Sequence, residues 1–245
     1  MTRAKRAQSL NGRLREVLRG GASRIYRKIR DVASGESYAL DDIDRKLRRY
    51  LDFDNGFFIE AGANDGIEFS NTLYFEKYRN WSGLLIEPLP QQAALCAENR
   101  PRCYVENCAL VSSDYTGPTI EMRFCGQLSL VKGAMKCDET ERKHIERGCE
   151  LQKIETYSLT VPARTLTSIL ESHGILHVDF LSLDVEGYEL EALRGLDFDR
   201  YHPSFMLIEA HSRDELDRFL RPHYEPIAEL SRQDVLYRRA GGRGP

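Results

Sequence analysis

The sequence predicts an α/β protein built on a mostly parallel sheet that ends in an antiparallel hairpin. Three observations point there. From residue 57 onward, short apolar runs alternate with helix-length segments, the rhythm of strand–helix–strand units. The last two strand-like stretches, near 224–229 and 234–238, follow each other closely enough to close the sheet as a hairpin. The chain of 245 residues, with 41% hydrophobic and 9% aromatic content, supplies a core for one large or two small domains and excludes a disordered chain.

Taken in order, residues 8–19 read as a short amphipathic helix, with Leu10, Leu14, Val17 and Leu18 on one face and arginines on the others. Gly20-Gly21 breaks it, and Ile25, Ile29 and Val32 mark a second such stretch. Leu40, Ile43, Leu47 and Leu51 predict a helix over 40–51, before a turn at Asp54-Asn55-Gly56. Phe57-Phe58-Ile59 is the first buried strand, 70–79 a helix, Leu84-Leu85-Ile86 the second strand and 90–99 the next helix. Cys103-Tyr104-Val105 reads as a third strand, and Thr119 to Phe124 alternates as an extra one. Residues 126–155 are polar and show no clear period. Strands follow at 156–161, 180–183 and 205–208, with helices at 165–172, 187–194 and 212–220. The glycine-rich end, 241–245, is expected to be a disordered tail.

The formal net charge of −3 hides a lopsided distribution. Residues 1–30 hold ten basic side chains and one acid, a net of +9, which leaves −12 on the rest. The reading is therefore a basic extension over 1–39 and a domain over 40–240. Such an extension suits an anionic membrane surface or a partner, whereas the acidic body argues against a nucleic-acid-binding core. No apolar run approaches the roughly 18–20 residues that span a bilayer. The N-terminus also lacks the apolar core of a secretory signal. The six cysteines are scattered, form no CxxC pair, and read as reduced structural thiols. A cytoplasmic location, with peripheral contact at the inner face of a membrane, is the expectation. Oligomeric state is left open.

The chemistry begins where the first strand runs into Glu60-Ala61-Gly62-Ala63-Asn64-Asp65-Gly66, an E-x-G-x-N-x-G loop before a helix. Glycines there permit a tight turn and close approach of backbone to a ligand, and Asn64 tolerates left-handed geometry. Glu87 ends the second strand, about 20 residues past the loop, where an acid can accept from ribose hydroxyls. A dinucleotide would set its pyrophosphate on this loop, but Glu60, Asp65 and Glu68 would repel it. The loop suits a cationic ligand with an amine and a sulfonium, such as S-adenosylmethionine.

Phe58 to Gly66, then Ser70-Asn71-Thr72, then Gly83 to Pro88, and finally Asp179 to Leu190 (DFLSLDVEGYEL) together resemble the FkbM-type methyltransferases over roughly residues 40–238. The resemblance implies a Rossmann-like methyltransferase fold, a mostly parallel twisted sheet with helices on both faces. It also implies S-adenosylmethionine as cofactor and a hydroxyl acceptor, on a sugar, a glycan or a glycosylated natural product. By the same resemblance, Gly62, Asn64, Asp65, Gly66, Ser70, Asn71 and Glu87 match cofactor-facing positions, with Glu60 and Pro88 beside them.

A second constellation joins Asp184, Glu186, Glu209 and His211, each at or just past a strand end. Ligands of open parallel sheets bind at the carboxyl ends of strands, so Glu60, Glu87, Asp184, Glu209 and His211 are expected on one edge. His211 has the intrinsic pKa range of a general base. Asp184 and Glu186 are the other candidates for that role or for positioning substrate. Two carboxylates and a histidine could also hold a metal; the reading takes none. His144, His202 and His223 are assigned surface or turn roles, and His173 and His177 a helix C-terminus. The 126–155 segment is expected to cover the acceptor site, against the plainer reading of a solvated helical hairpin. Competing functions are a nicotinamide-dependent oxidoreductase, which the acidic loop opposes, and a non-catalytic scaffold on the same fold.

Overall fold

The short apolar runs form the centre of a seven-stranded sheet in a computed structural model that describes residues 37–135 and 137–241. With all strands numbered along the chain, β1 (Phe57–Ala61), β2 (Ser82–Ile86), β3 (Tyr104–Glu106), β8 (Phe180–Leu183) and β9 (Phe205–Glu209) are parallel. The predicted terminal hairpin, β10 (Tyr224–Glu229) and β11 (Asp234–Arg239), is antiparallel and joins through β11 to β9. The sheet order is β10-β11-β9-β8-β1-β2-β3. The expected amphipathic stretches, over 8–19 and through Ile25, Ile29 and Val32, and the 242–245 end of the expected tail lie outside the described residues.

Alternate residues of each strand point to opposite faces, and both faces are apolar. Ile59, Leu84, Leu181, Met206 and Ile208 pack under Leu166, Ile169, Leu170, Leu193, Leu216 and Leu220. Phe58, Leu85, Phe180 and Leu207 pack on the other side against Ile43, Leu47, Phe75, Trp81 and Cys96. Helices therefore cover both faces, which makes the fold Rossmann-like. Among the described residues no helix is long and apolar enough to cross a membrane. All six cysteines are free.

The register explains where the site lies. Ala61 pairs with Ile86 and with Leu183, and Leu183 pairs with Ile208. The next residues, Gly62, Glu87, Asp184 and Glu209, thus emerge at the same level on one edge. The expectation for Glu60 is corrected here. β1 continues past its apolar run, so Glu60 lies inside the sheet opposite Leu85 and Ser182 and is buried.

Helix bounds shift for identifiable reasons. The predicted 40–51 helix is a 3-10 turn, Leu40–Asp42, followed by Ile43–Leu47, because Asp41 and Asp42 take positive φ values of 52° and 57°. The predicted 187–194 helix begins at Glu189, after left-handed residues Glu186 (φ 55°) and Gly187 (φ 94°). Thr119–Phe124 is a strand as expected, but it belongs to a second sheet. There β4 (Ala109–Leu110), β5 (Thr119–Phe124), β6 (Leu130–Val131) and β7 (Tyr157–Arg164) take the order β4-β7-β5-β6. Inside 126–155 the structure has a 15-residue helix, Asp138–Gln152, rather than a helical hairpin. It has no apolar stripe to announce it. Acids in its first turn and (i, i+4) pairs Glu139–Lys143 (2.6 Å) and Arg142–Glu146 (2.9 Å) support it instead.

Candidate functional site

The strand ends open into a cleft, at the carboxyl ends of parallel strands where ligands of open sheets bind. The loop after β1 contributes Gly62 and Asn64, and the end of β2 contributes Glu87, Pro88 and Leu89. The turn after β8 supplies Asp184, Val185 and Glu186. The second sheet closes the remaining side with Leu110, Met122 and Val131, joined by Gly126, Gln127 and Ser129 from the turn before β6. The sequence did not reveal that wall, because two-residue strands such as Ala109–Leu110 and Leu130–Val131 carry no periodic signal.

The loop is held open by its backbone and by Glu87. Gly62 has φ 82° and Asn64 φ 50°, the left-handed conformation for which Gly and Asn are suited. The Glu87 carboxylate accepts from Asn64 N–H and from Leu89 N–H, each at 2.9 Å. Burial pushes its carboxyl up to about 7, and those two N–H donors act in the opposite direction. Gln92 donates to the Asn64 side chain at 2.5 Å.

Other acids of the loop are committed inside it. Glu60 accepts from Ser70 Oγ (2.8 Å), Asn71 N–H (2.7 Å) and Thr72 Oγ1 (2.7 Å). Arg100, fully buried, lies 3.7 Å from Glu60, pairs with Glu76, and donates to the Gly66 carbonyl at 2.9 Å. Asp65 caps its own turn by accepting from Ile67 and Glu68 N–H at 2.8 and 2.7 Å. Asn71 donates to Ser182 Oγ at 3.0 Å. Among the sequence candidates, Gly62, Asn64, Glu87, Pro88, Asp184 and Glu186 line the cleft. Glu60, Asp65, Gly66, Ser70 and Asn71 form the layer that shapes its loop.

The turn after β8 concentrates negative charge. Asp184 is reached by solvent through the cleft, yet protein surrounds it. That desolvation, reinforced by neighbouring Glu209, drives its carboxyl well above the usual range. Burial, then Asp184 and Glu189, raises Glu186 to about 9. Burial, then Glu186, raises Glu209 to about 8. Glu189 is also raised by burial, while it accepts from Gly187 N–H at 2.9 Å and Val185 N–H at 3.3 Å. His211 Nδ1 lies 3.6 Å from Glu209 and 3.8 Å from Glu189. One ligand atom from each of Glu186, Glu209 and His211 falls within 4.8 Å of the others, close enough for all three to face one cation.

His144 is corrected from a surface role. It is largely buried on the Asp138–Gln152 helix, with Nε2 2.9 Å from the Leu128 carbonyl and 3.5 Å from Glu186. The carbonyl can only accept, so Nε2 carries the proton. Burial holds the imidazole below its ordinary pKa. A second cleft lies across the turn. Gly187, Tyr188, Glu189, Leu190 and His211 line one side, and Gly133, Ala134, Met135, Cys137 and Thr140 the other. Tyr188 belongs to both clefts.

The methyltransferase FkbM domain family matches residues 60–224, a span that contains the β1 loop, Glu87, the β8 turn and His211. Methyltransferase 1 of Beauveria bassiana (strain ARSEF 2860) is 28% identical over 158 residues, which cover 60% of this chain and 61% of that relative. Less than two thirds of the relative's length is thus spanned. Among solved structures, methyltransferase FkbM from Methylobacillus flagellatus KT has a TM-score of 0.45 at 14% identity, covering 88% of this chain and 60% of that one. A TehB-like SAM-dependent methyltransferase from Corynebacterium glutamicum ATCC 13032 Kitasato has a TM-score of 0.43 at 11% identity, covering 89% of this chain and 97% of its own. By the family match, which covers most of its length, the chain belongs to the methyltransferase FkbM domain family.

Proposed function

We propose that this protein is an S-adenosylmethionine-dependent O-methyltransferase acting on a hydroxyl of a sugar, glycan or glycosylated natural product. The observation that carries the reading is the single cleft shared by Gly62, Asn64, Glu87 and the Asp184–Glu186 turn. Its donor set fits the cofactor. Leu89, Leu110 and Met122 offer an apolar seat for the base. Glu87 offers carboxylate oxygens to ribose hydroxyls. The acids of the β8 turn suit a positive charge. When bound, the cofactor supplies an activated methyl group on a sulfonium centre.

The protein's remaining task is to align an acceptor oxygen and remove its proton. The second cleft, across the same turn, is the acceptor site in this reading, with Gly133, Ala134, Met135, Cys137 and Thr140 as its outer wall. His211 lines that cleft and is oriented by Glu189 and Glu209. It is positioned to take the hydroxyl proton as general base, while Asp184 and Glu186 hold the boundary between the clefts.

Calorimetry with S-adenosylmethionine, its demethylated product and NAD tests the cofactor. Binding of the first two and not of NAD is expected; NAD binding alone would replace the reading with an oxidoreductase. Labelled-methyl transfer to a panel of glycans and small alcohols then tests the acceptor. Label on a non-hydroxyl atom would overturn O-methylation, and cofactor binding without any transfer would favour a scaffold.

A further inference from the structure

The sequence places acids on the β1 loop, but the structure spends them there: Glu60 is bonded to Ser70, Asn71 and Thr72, and Asp65 caps its turn. Glu87 is committed to Asn64 and Leu89 N–H, and Glu189 to Val185 and Gly187 N–H. The carboxyls left to meet a cationic guest are on the opposite wall of the cleft. There Asp184 and Glu186 line the surface, and the left-handed backbone at Glu186 (φ 55°) sets it at the turn between the two clefts.

The surroundings of Glu186 are short of positive charge. Asp184, Glu189 and Glu209 face it, with Arg147, His144 and His211 as the nearby bases. Among the described residues its one ion-pair contact is the His144 imidazole, at 3.5 Å, and burial disfavours the charged form of that imidazole. Glu209 Oε2, in the same cluster, is buried without a hydrogen-bond partner. Carboxylates so placed are satisfied best by a cation delivered from the cleft.

We infer that Glu186, supported by Asp184, reads the positive charge of the sulfonium and so distinguishes the methyl donor from its demethylated product. The inference rests on the cofactor reading above. Donor and product share the base, the ribose and the amino-acid ammonium. They differ in one methyl group and one charge, and a carboxylate discriminates them through the charge. Asp184 and Glu186 both lack a backbone N–H partner among the contacts described, but Asp184 is engaged by the Glu209 carboxyl, which leaves Glu186 as the discriminating residue. Asp184, on the same strand end, sets the field around it.

Calorimetry in the presence of EDTA, on the full chain, measures affinities for S-adenosylmethionine, S-adenosylhomocysteine and an analogue that carries an amine at the methylated position. Glu186→Gln, nearly isosteric, is expected to shift the donor-to-product affinity ratio about 10- to 100-fold against the donor, the range of a lost charge-assisted contact. Product affinity should stay within about twofold, as no charge is removed from its partners. The amine analogue should bind the wild type more tightly than the product and lose that advantage in the variant. This wild-type comparison stands even if the variant folds poorly. An unchanged ratio, or an equal loss for donor and product, overturns the inference. So does a ratio that appears only when EDTA is replaced by Mg²⁺, because a metal would then be the guest. Product binding with an unchanged ratio leaves the cofactor reading intact; binding of neither molecule to the wild type removes both.

Discussion

The backbone carbonyl oxygen of Asp184 fills the space that a side chain at position 62 would need: a Cβ on Gly62 would lie 1.9 Å from it. Two strand ends, β1 and β8, thus meet backbone to backbone beneath the cleft, and Gly62 also takes φ 82°. Gly62→Ala must therefore either push the β8 turn away or unfold the loop. Strain and overpacking each cost about 1–3 kcal/mol, so a loss of at least that size in denaturant unfolding is expected. Binding of S-adenosylhomocysteine should weaken in the same variant. An alanine variant with unaltered stability would show that the loop yields without cost.

The acids of the β8 turn predict a pH dependence with a definite sign. Glu186 is held up to about 9 and Glu209 to about 8 against an ordinary value of 4.5, and Glu87 to about 7. Each of these carboxyls keeps its proton more tightly in the folded chain than in the unfolded one. Their contribution favours folding below the unfolded value and is lost as pH rises through the raised values. The ligand-free protein should accordingly lose stability between roughly pH 5 and pH 9. Glu186→Gln, which cannot ionise, should unfold at a higher temperature than the wild type at pH 9 and differ little at pH 5. Melting curves at the two pH values decide it.

These groups also show what was legible in the sequence and what was not. The parallel strands were legible because buried parallel strands are short continuous apolar runs, and Phe180–Leu183 has the bounds expected; Thr119–Phe124, an antiparallel strand, was legible by its alternation. Glu87 and Asp184 were legible as cleft residues because both follow an apolar run directly. Glu60 was misplaced because β1 runs two residues beyond its apolar stretch and carries the acid inward. His144 was missed because it sits in a polar helix whose register is set by ion pairs, and only the tertiary fold brings it to Glu186. The second sheet was missed because two of its strands are two residues long.

Arg100 makes the loop depend on a distant helix end. It is fully buried, pairs with Glu76 and lies near Glu60, so its removal leaves two carboxylates without their cation. Arg100→Met should cost about 3–5 kcal/mol, the usual consequence of breaking a buried pair from one side. Chemical denaturation measures the loss. Arg100→Met combined with Glu76→Gln should recover part of it, and failure to recover would place the cost in packing rather than in charge.

His211 faces the second cleft with two carboxylates behind it. His211→Ala should lower the rate of methyl transfer by roughly 10²–10⁴ if it removes the acceptor proton, with cofactor affinity retained. A variant that keeps the wild-type rate would move the base role to Asp184 or Glu186.

The 126–155 segment divides at the turn after β6, and its two parts should respond differently to substitution. Gly126, Gln127, Ser129 and Val131 line the first cleft, whereas Gly133, Ala134, Met135, Cys137 and Thr140 line the second. Removing the whole segment would therefore damage both sites, since it would take one wall of the cofactor cleft with it. Point changes separate them. Val131→Asp buries a charge beside the cofactor seat and should reduce S-adenosylhomocysteine affinity by roughly tenfold or more. Met135→Arg alters only the outer wall of the second cleft and should leave that affinity unchanged while reducing methyl transfer to any acceptor found. Calorimetry and transfer measured on the same preparations distinguish the two, and equal loss of cofactor binding in both variants would mean that the segment acts as one lid.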